Sequence, residues 1–477
     1  MAENTREIVL DALLEMERGR EYSHRLVKAV LDKYDYLHPQ EKAFMKRILE
    51  GTVERKIELD YVLERFSSVP VRKMKPLIRC LTRMSAYQIL YMDSVPDSAA
   101  CNEAVKLAVK RGFKNLKGFV NGVLRSVAAG KDAIVWPDED KDPLKALSVR
   151  YSMPEWIVSM WLDEYGREIT AKLLKGLLEI HPVSIRFRTS LDKSARQEYI
   201  AQMENAGVKV TMSPYLPYAY LLHHVEGVAA LPGYEEGAFT VQDISSMLAV
   251  EAAGIRPGDT VMDICAAPGG KSLLAAEKAA LVLAGDVSLA KLERMEENRA
   301  RMRAGNLRLT RWDGCVFDES RKETADVLLL DVPCSGLGVM GKKRDIKYNI
   351  TPESLKSLEE LQKRIVENSW QYVKPGGILL YSTCTVRREE NQEMCRYICS
   401  NFPFEPEDVS GYLPQRLLEQ AKELDKAMDG KTCAGQEGAA EDETEESAGQ
   451  EMTAGVQLMP GYMETDGFYF VRLRRKS

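Results

Sequence analysis

Cys334 stands in Asp331-Val332-Pro333-Cys334-Ser335-Gly336 and Cys384 in Tyr381-Ser382-Thr383-Cys384-Thr385, each directly after an apolar run that reads as a buried strand. A free cysteine is usually a small packing residue. Two of them at neighbouring strand ends, facing one crevice, suit covalent chemistry in which one thiolate is the nucleophile and the second moves a proton. Carbon 5 of cytosine needs such a pair. It is a poor nucleophile until a thiolate adds to carbon 6. After a methyl group has been transferred, a base must take the carbon 5 proton so that the thiol can leave. Spacing alone leaves open which cysteine attacks.

A methyl donor would need a pocket beside them, and one stretch reads as its floor. In Val261-Met262-Asp263-Ile264-Cys265-Ala266-Ala267-Pro268-Gly269-Gly270-Lys271-Ser272 a short apolar strand runs into a glycine turn and a helix start. Missing side chains at such a turn let a ligand approach the backbone. Asp286 follows a second strand, placed for ribose hydroxyls; Asp313 follows a third, placed for an adenine amino group; Asp331 closes the apolar run Val327-Leu328-Leu329-Leu330. Asp331 could equally hold the pyrimidine edge. The turn lacks the G-x-G-x-x-G spacing of a pyrophosphate cradle, so S-adenosyl-L-methionine fits better than a dinucleotide.

These residues need a sheet to hold them. Strands fit Thr260 to Ile264, Leu281 to Asp286, Leu307 to Arg311, Ala325 to Asp331 and Ile378 to Ser382, alternating with helical stretches, and Phe468-Tyr469-Phe470-Val471 reads as a final strand. Alternation of this kind predicts a Rossmann-like α/β domain over 236–477 with a mostly parallel sheet. Upstream, Pro182 to Thr189, Val208 to Val210 and Tyr220 to Leu222, with a helix from Ala195 to Ala206, predict a small α/β module over 147–235. Arg186, Phe187 and Arg188 there combine charge with a stacking surface for RNA. Before a polar linker at 131–146, residues 1–130 carry only helical periodicity: Ile8, Val9, Ala12, Leu13 and Met16 make one apolar stripe, and Asp97 or Ser98 is expected to cap a helix that Gly112 ends. The expected fold class is therefore multidomain: an all-α bundle, a small α/β RNA-binding module and an α/β Rossmann-like methyltransferase domain.

The helical part resembles the NusB family of RNA-binding domains, through Arg6-Glu7-Ile8-Val9-Leu10-Asp11-Ala12-Leu13, Pro39 to Phe44, Ser94-Val95-Pro96, Asn102 to Val105 and Phe119 to Arg125. Asp263 to Lys271, Asp331 to Gly336, and Tyr381 to Thr385 with Glu389-Glu390-Asn391 resemble the RNA 5-methylcytosine methyltransferases. The combination is similar to the branch of that family that acts on a cytosine of 16S ribosomal RNA. The resemblance implies that Cys384 is the nucleophile and Cys334 the release cysteine. It also implies that Cys265, Ala266, Ala267, Pro268, Gly269, Gly270, Lys271, Asp286, Asp313 and Asp331 bind the cofactor. DNA cytosine methyltransferases use the Pro-Cys position as nucleophile, so this order rests on the family. Lys291 stands where the family often has Arg, and the basic loop Gly341 to Lys347 is expected to meet RNA phosphate.

At 477 residues, with 45% apolar and 29% charged residues, the composition is that of an ordinary globular chain of several domains. No apolar run approaches the about 18–20 residues that span a bilayer, and the first residues lack signal-peptide features; a cytoplasmic monomer is expected. The 9 Cys and 5 His form no metal-ligand spacing, so no metal is expected, and Cys395 and Cys399 read as packing residues. The net charge of −6 misleads about nucleic acid. Asp429 to Glu451 carries eight acids and one base, and without it the remainder stands at +1. That segment, about 429–455, reads as a disordered insertion.

Overall fold

The computed structural model describes residues 4–19, 23–179, 182–225, 227–434 and 455–477. They form two compact units, one of Met1–Leu178 with Lys342–Asn349, the other of Glu179–Gly341 with Ile350–Ser477.

The first unit is helical: α1 (Thr5–Glu17), α2 (Ser23–Lys33), α3 (Pro39–Glu54), α4 (Lys56–Phe66), α5 (Pro76–Tyr91), α6 (Asp97–Lys110), α7 (Lys117–Gly130), α8 (Pro143–Arg150) and α9 (Glu155–Leu178). The stripe expected on α1 is inside: Ile8, Val9, Ala12 and Leu13 are buried. α5 is apolar nearly all round and runs through the core, burying Ile78, Leu81, Met84 and Ile89. Its one charged core residue, Arg83, is satisfied by Glu17 at 2.7 Å and Asp60 at 2.6 Å.

Three expectations change here. Asp97 does not cap α6; it is the first helical residue, and its carboxylate takes Lys131 Nζ at 2.9 Å. Gly112 does end the helix, with φ 86°. The stretch expected to be a linker is held to this unit, because Trp136 stacks on Tyr61 and the Tyr61 hydroxyl donates to the Val135 carbonyl at 2.7 Å. The basic loop is the third case. Arg344 Nε donates to Glu54 at 2.8 Å, Arg344 Nη1 pairs with Glu50 at 2.8 Å, and the buried Lys347 donates to the Glu54 carbonyl at 2.9 Å. Glu50 and Glu54 sit one turn apart on α3 and together match the guanidinium. Arg344 and Lys347 thus serve packing, not phosphate; Lys342 and Lys343 stay exposed.

The second unit holds two sheets. β1 (Val183–Phe187), β2 (Lys209–Met212), β3 (Ala219–His223) and β4 (Phe239–Val241) form an antiparallel sheet in the order β2-β3-β1-β4. Arg186 and Phe187, expected on its surface, are fully buried: the guanidinium pairs with Glu277 and Gln242, and Phe187 packs against Phe239 and Tyr220. β5 (Thr260–Asp263), β6 (Leu281–Asp286), β7 (Leu307–Arg311), β8 (Ala325–Asp331), β9 (Val373–Thr383), β10 (Phe404–Pro406), β11 (Val456–Leu458) and β12 (Phe468–Arg475) form the larger sheet. Its order is β10-β12-β9-β8-β5-β6-β7, with β11 on β12. β5 to β9 run parallel, and β12 returns antiparallel to β9. Cys395 is buried in the core beneath this sheet and Cys399 packs against it, as expected of packing residues. Of the segment expected to be a disordered insertion, 429–434 continues a helix, Gln415–Ala434, and 435–454 lies outside the described residues.

Candidate active site

The chain enters the parallel sheet at β5, fills one side with β6 and β7, then returns to fill the other with β8 and β9. The direction reverses between β5 and β8, and in open α/β sheets the ligand crevice lies there, outside the carboxyl ends of the strands. Asp263 ends β5, Asp286 ends β6 and Asp331 ends β8. Asp313 lies two residues past β7 and is exposed, its carboxylate accepting the Cys315 N–H at 2.9 Å.

The glycine turn has the shape the sequence calls for. Ala266 N–H donates to the Gly285 carbonyl at 3.0 Å, which ties the turn to β6, and Gly269 closes it with φ 98°. A Cβ at Gly269 would be strained whatever the space around it. The bond between Ala267 and Pro268 is cis. Asp263 is fully buried; one oxygen accepts the Ser272 hydroxyl at 2.6 Å and the other, Oδ1, has no partner. Burial pushes its carboxyl up to about 7. Asp286 accepts the Ser288 N–H at 3.0 Å and pairs with Lys291 at 3.2 Å, so Lys291 does meet the carboxylate before it. Burial first, then Asp263, Asp331 and Asp286, pushes the Cys265 thiol up. The crevice is therefore acidic and holds a spare buried acceptor, which suits a ligand carrying a sulfonium and an ammonium.

Lys271 is buried, and its ammonium joins two strand ends. It pairs with Asp331 at 2.8 Å and lies 4.9 Å from the centroid of the Phe468 ring. The Ser382 hydroxyl donates to the other Asp331 oxygen at 2.9 Å. Asp331 is thus fixed from the helix that follows β5 and from β9, with Ser382 directly opposite it in register.

The two cysteines meet. Cys334 Sγ and Cys384 Sγ are 3.2 Å apart, and the Cys384 N–H donates to Cys334 Sγ at 3.3 Å. Both residues are half-buried. The hydrogen bond to Cys384, followed by burial and the negative field of Cys384, Glu390 and Asp331, holds the Cys334 thiol well above its ordinary pKa. The two sulfurs share one hydrogen bond and titrate as a pair. The loops carrying them are packed by glycine: Gly467 N–H donates to the Gly338 carbonyl at 2.9 Å, and a Cβ at Gly338 would stand 2.1 Å from the Gly467 oxygen.

Sequence reasoning missed several residues that touch this centre. Ser272, Ser382 and Phe468 complete the Lys271–Asp331 and Asp263 contacts, and Gln362 and Gln457 reach the cysteine loops from distant parts of the chain. Nothing in their local pattern sets them apart. Gln362 reads as one polar residue of an amphipathic helix, and Gln457 follows the acidic stretch.

Three family models match: NusB over residues 3–129, the ferredoxin-like domain of RsmF/B-like methyltransferases over 153–228, and 16S rRNA methyltransferase RsmB/F over 252–474. Among solved structures, PH0851 is similar over 100% of both chains with a TM-score of 0.75 and 22% identity. A methyltransferase homolog protein from Pyrococcus horikoshii covers 70% of this chain and 99% of its own, with a TM-score of 0.52 and 22% identity. These share the fold. The ribosomal RNA small subunit methyltransferase B of Cronobacter sakazakii is 30% identical over 92% of this chain and 91% of its own. The probable enzyme of that name from Bacillus subtilis is 34% identical over 99% of both chains. The chain belongs to the ribosomal RNA small subunit methyltransferase B family.

Proposed function

We propose that this chain methylates carbon 5 of one cytosine in 16S ribosomal RNA, with Cys384 as the covalent nucleophile and Cys334 as the group that permits release. As a member of its family it is an rRNA methyltransferase that uses S-adenosylmethionine, which supplies the electrophilic methyl group. The observation that carries the reading is the pair of sulfurs 3.2 Å apart at the ends of β8 and β9.

The target base is flipped into the crevice, as an enzyme acting on a base requires. Cys384 sulfur forms a bond to carbon 6, and the electron pair of the carbon 5–carbon 6 double bond moves toward the pyrimidine edge, making carbon 5 enamine-like. The ring nitrogen that receives the pair takes a proton from solvent, and Asp331, oriented by Lys271 and Ser382, accepts hydrogen bonds from that protonated edge. Carbon 5 takes the methyl group with its own electron pair. Cys334, its proton passed to solvent, accepts the carbon 5 proton; the freed pair restores the double bond and expels Cys384 as thiolate. Cys265 to Lys271, Asp286 and Asp313 would hold the methyl donor, which would supply the electrophilic methyl group.

Two basic runs of the helical unit support an RNA partner. Arg72, Lys73, Lys75, Lys114 and Lys117 are exposed, and no carboxylate among the described residues pairs with them. Lys75 Nζ lies 5.7 Å from the Phe113 ring, which brings the two runs together. No described helix is long and apolar enough to cross a membrane, and a substrate of ribosomal RNA implies action in the cytoplasm.

The test is a denaturing gel for covalent RNA adducts with unmethylated small-subunit RNA and methyl donor. Cys334→Ala should accumulate an adduct and Cys384→Ala should form none. The reversed pattern would overturn the cysteine order, and no adduct with no methyl transfer by the wild type would overturn the mechanism.

A further inference from the structure

Glu390 and Asn391 are adjacent in sequence, completely buried, and belong to neither strand that carries a cysteine. Each reaches a different cysteine loop. Glu390 Oε2 accepts the Ser335 N–H at 2.9 Å and the Gln362 amide at 2.9 Å, while the same Gln362 amide donates to the Pro333 carbonyl at 3.0 Å. The residues on both sides of Cys334 are held through that one carboxylate and its amide. Asn391 Oδ1 accepts the Thr383 hydroxyl at 2.5 Å, and its Nδ2 donates to the Thr385 carbonyl at 3.1 Å and to Gln457 Oε1 at 2.9 Å. The residues on both sides of Cys384 are held in the same way. We propose that Glu390 and Asn391 are positioning residues with separate duties, Glu390 fixing Cys334 for release and Asn391 fixing Cys384 for attack.

The arrangement is expensive for a core that needed only packing. Burial pushes the Glu390 carboxyl up, opposed by the Ser335 N–H, Gln362 and Arg387. Arg387 stands 3.9 Å from Glu390 but is mainly engaged by Glu359 at 2.6 Å and Glu389 at 3.1 Å. The Tyr381 hydroxyl donates to the Glu390 carbonyl at 2.8 Å, so the dipeptide is itself anchored to β9. A hydroxyl contact of 2.8 Å between Ser335 and Thr385 ties one loop to the other. Buried polar networks rigidify the groups they join, and although Glu390 Oε1 has no hydrogen bond, the bonds made here fix the approach of two sulfurs. Misplacing a reacting group by about 1 Å costs about 10²-fold in rate.

This inference rests on the cysteine roles proposed above, and its test separates the two. Full-length Glu390→Ala and Asn391→Ala are compared with Cys334→Ala and Cys384→Ala for adduct formation, turnover and KM for S-adenosylmethionine. Glu390→Ala should accumulate adduct as Cys334→Ala does; Asn391→Ala should form little adduct, as Cys384→Ala does. Both should lose about 10²-fold in kcat with KM for the donor little changed. Glu390→Gln, which keeps an acceptor oxygen for the Ser335 N–H, should regain most of the turnover. Where an alanine variant does not fold, Glu390→Asp and Asn391→Ser take its place. If the two cysteine variants split as expected but the 390 and 391 variants fail alike or match the wild type, the positioning roles are wrong. If the cysteine variants themselves do not split, it is the parent mechanism that has failed.

Discussion

Lys271 in the sheet unit and Lys347 in the helical unit are both almost completely buried, yet their surroundings differ. Lys271 faces the Asp331 carboxylate at 2.8 Å and the Phe468 ring, so its charge is matched. Lys347 donates to a backbone carbonyl, that of Glu54, and desolvation pushes its pKa down to about 7. One lysine aims a neighbouring carboxylate; the other fastens a segment to α3. The same residue type, equally hidden, thus reports chemistry in one place and packing in the other. What separates the two is whether an acid pairs directly with the ammonium: the fields of Glu54 and Glu58 reach Lys347, but Arg55 and Arg344 oppose them.

The largest effect should come from removing the matched charge. Lys271→Met leaves Asp331 without its cation, and kcat/KM for methyl transfer should fall at least about 10²-fold; a variant within threefold of the wild type would make Lys271 another packing lysine. Lys347→Met should leave methyl transfer as it is. Its signature is in stability. The folded pKa of about 7 lies below that of the unfolded chain, so below pH 7 both states hold the proton and the burial cost is complete. Between about 7 and 10.4 the unfolded state binds one more proton. The helical unit of the wild type should therefore gain stability as pH rises through that window, by up to about 1.4 kcal/mol per pH unit. Urea denaturation of wild type and Lys347→Met at pH 7, 8 and 9 reads this directly, and equal slopes would show that Lys347 stays charged.

Smaller effects sharpen the same contrast among arginines and lysines near the surface. Arg344→Ala breaks the pairs with Glu50 and Glu54 and should cost about 1–2 kcal/mol in the same denaturation experiment, without changing how RNA affinity depends on salt. Lys75→Ala should do the opposite: stability holds, while the slope of log affinity against log salt falls by about 1. If Arg344→Ala flattens the salt slope, the segment Lys342–Asn349 does reach phosphate after all.

Much of the site was legible in the sequence because strand ends are. Asp263, Asp286 and Asp331 close apolar runs, and the alternation of strand and helix forces those ends to one edge of the sheet. The glycine turn likewise announces its own backbone shape. Other expectations failed where a charge met a partner that no local pattern reveals. Arg186 reads as part of a charged stacking surface for RNA, but Glu277 and Gln242 draw it fully inside. Arg344 and Lys347 read as a phosphate-binding loop, but α3 offers Glu50 and Glu54 one turn apart. In both cases the deciding residues are far along the chain, 56 and 91 positions from Arg186 and 290 from Arg344 to Glu54.

By itself the sequence determined the order of elements, the parallel sheet, the acidic rim of the crevice and the presence of two thiols at neighbouring strand ends. Each of these follows from periodicity or from residues adjacent along the chain. Only the tertiary structure decided how the thiols differ. The thiols meet in a 3.2 Å approach, and the Cys334 thiol is held up by that contact, by burial and by the charges of Glu390 and Asp331, brought together from two separate stretches. Hydrogen bonds and desolvation act over a few ångströms of space, and separation along the chain does not measure that distance.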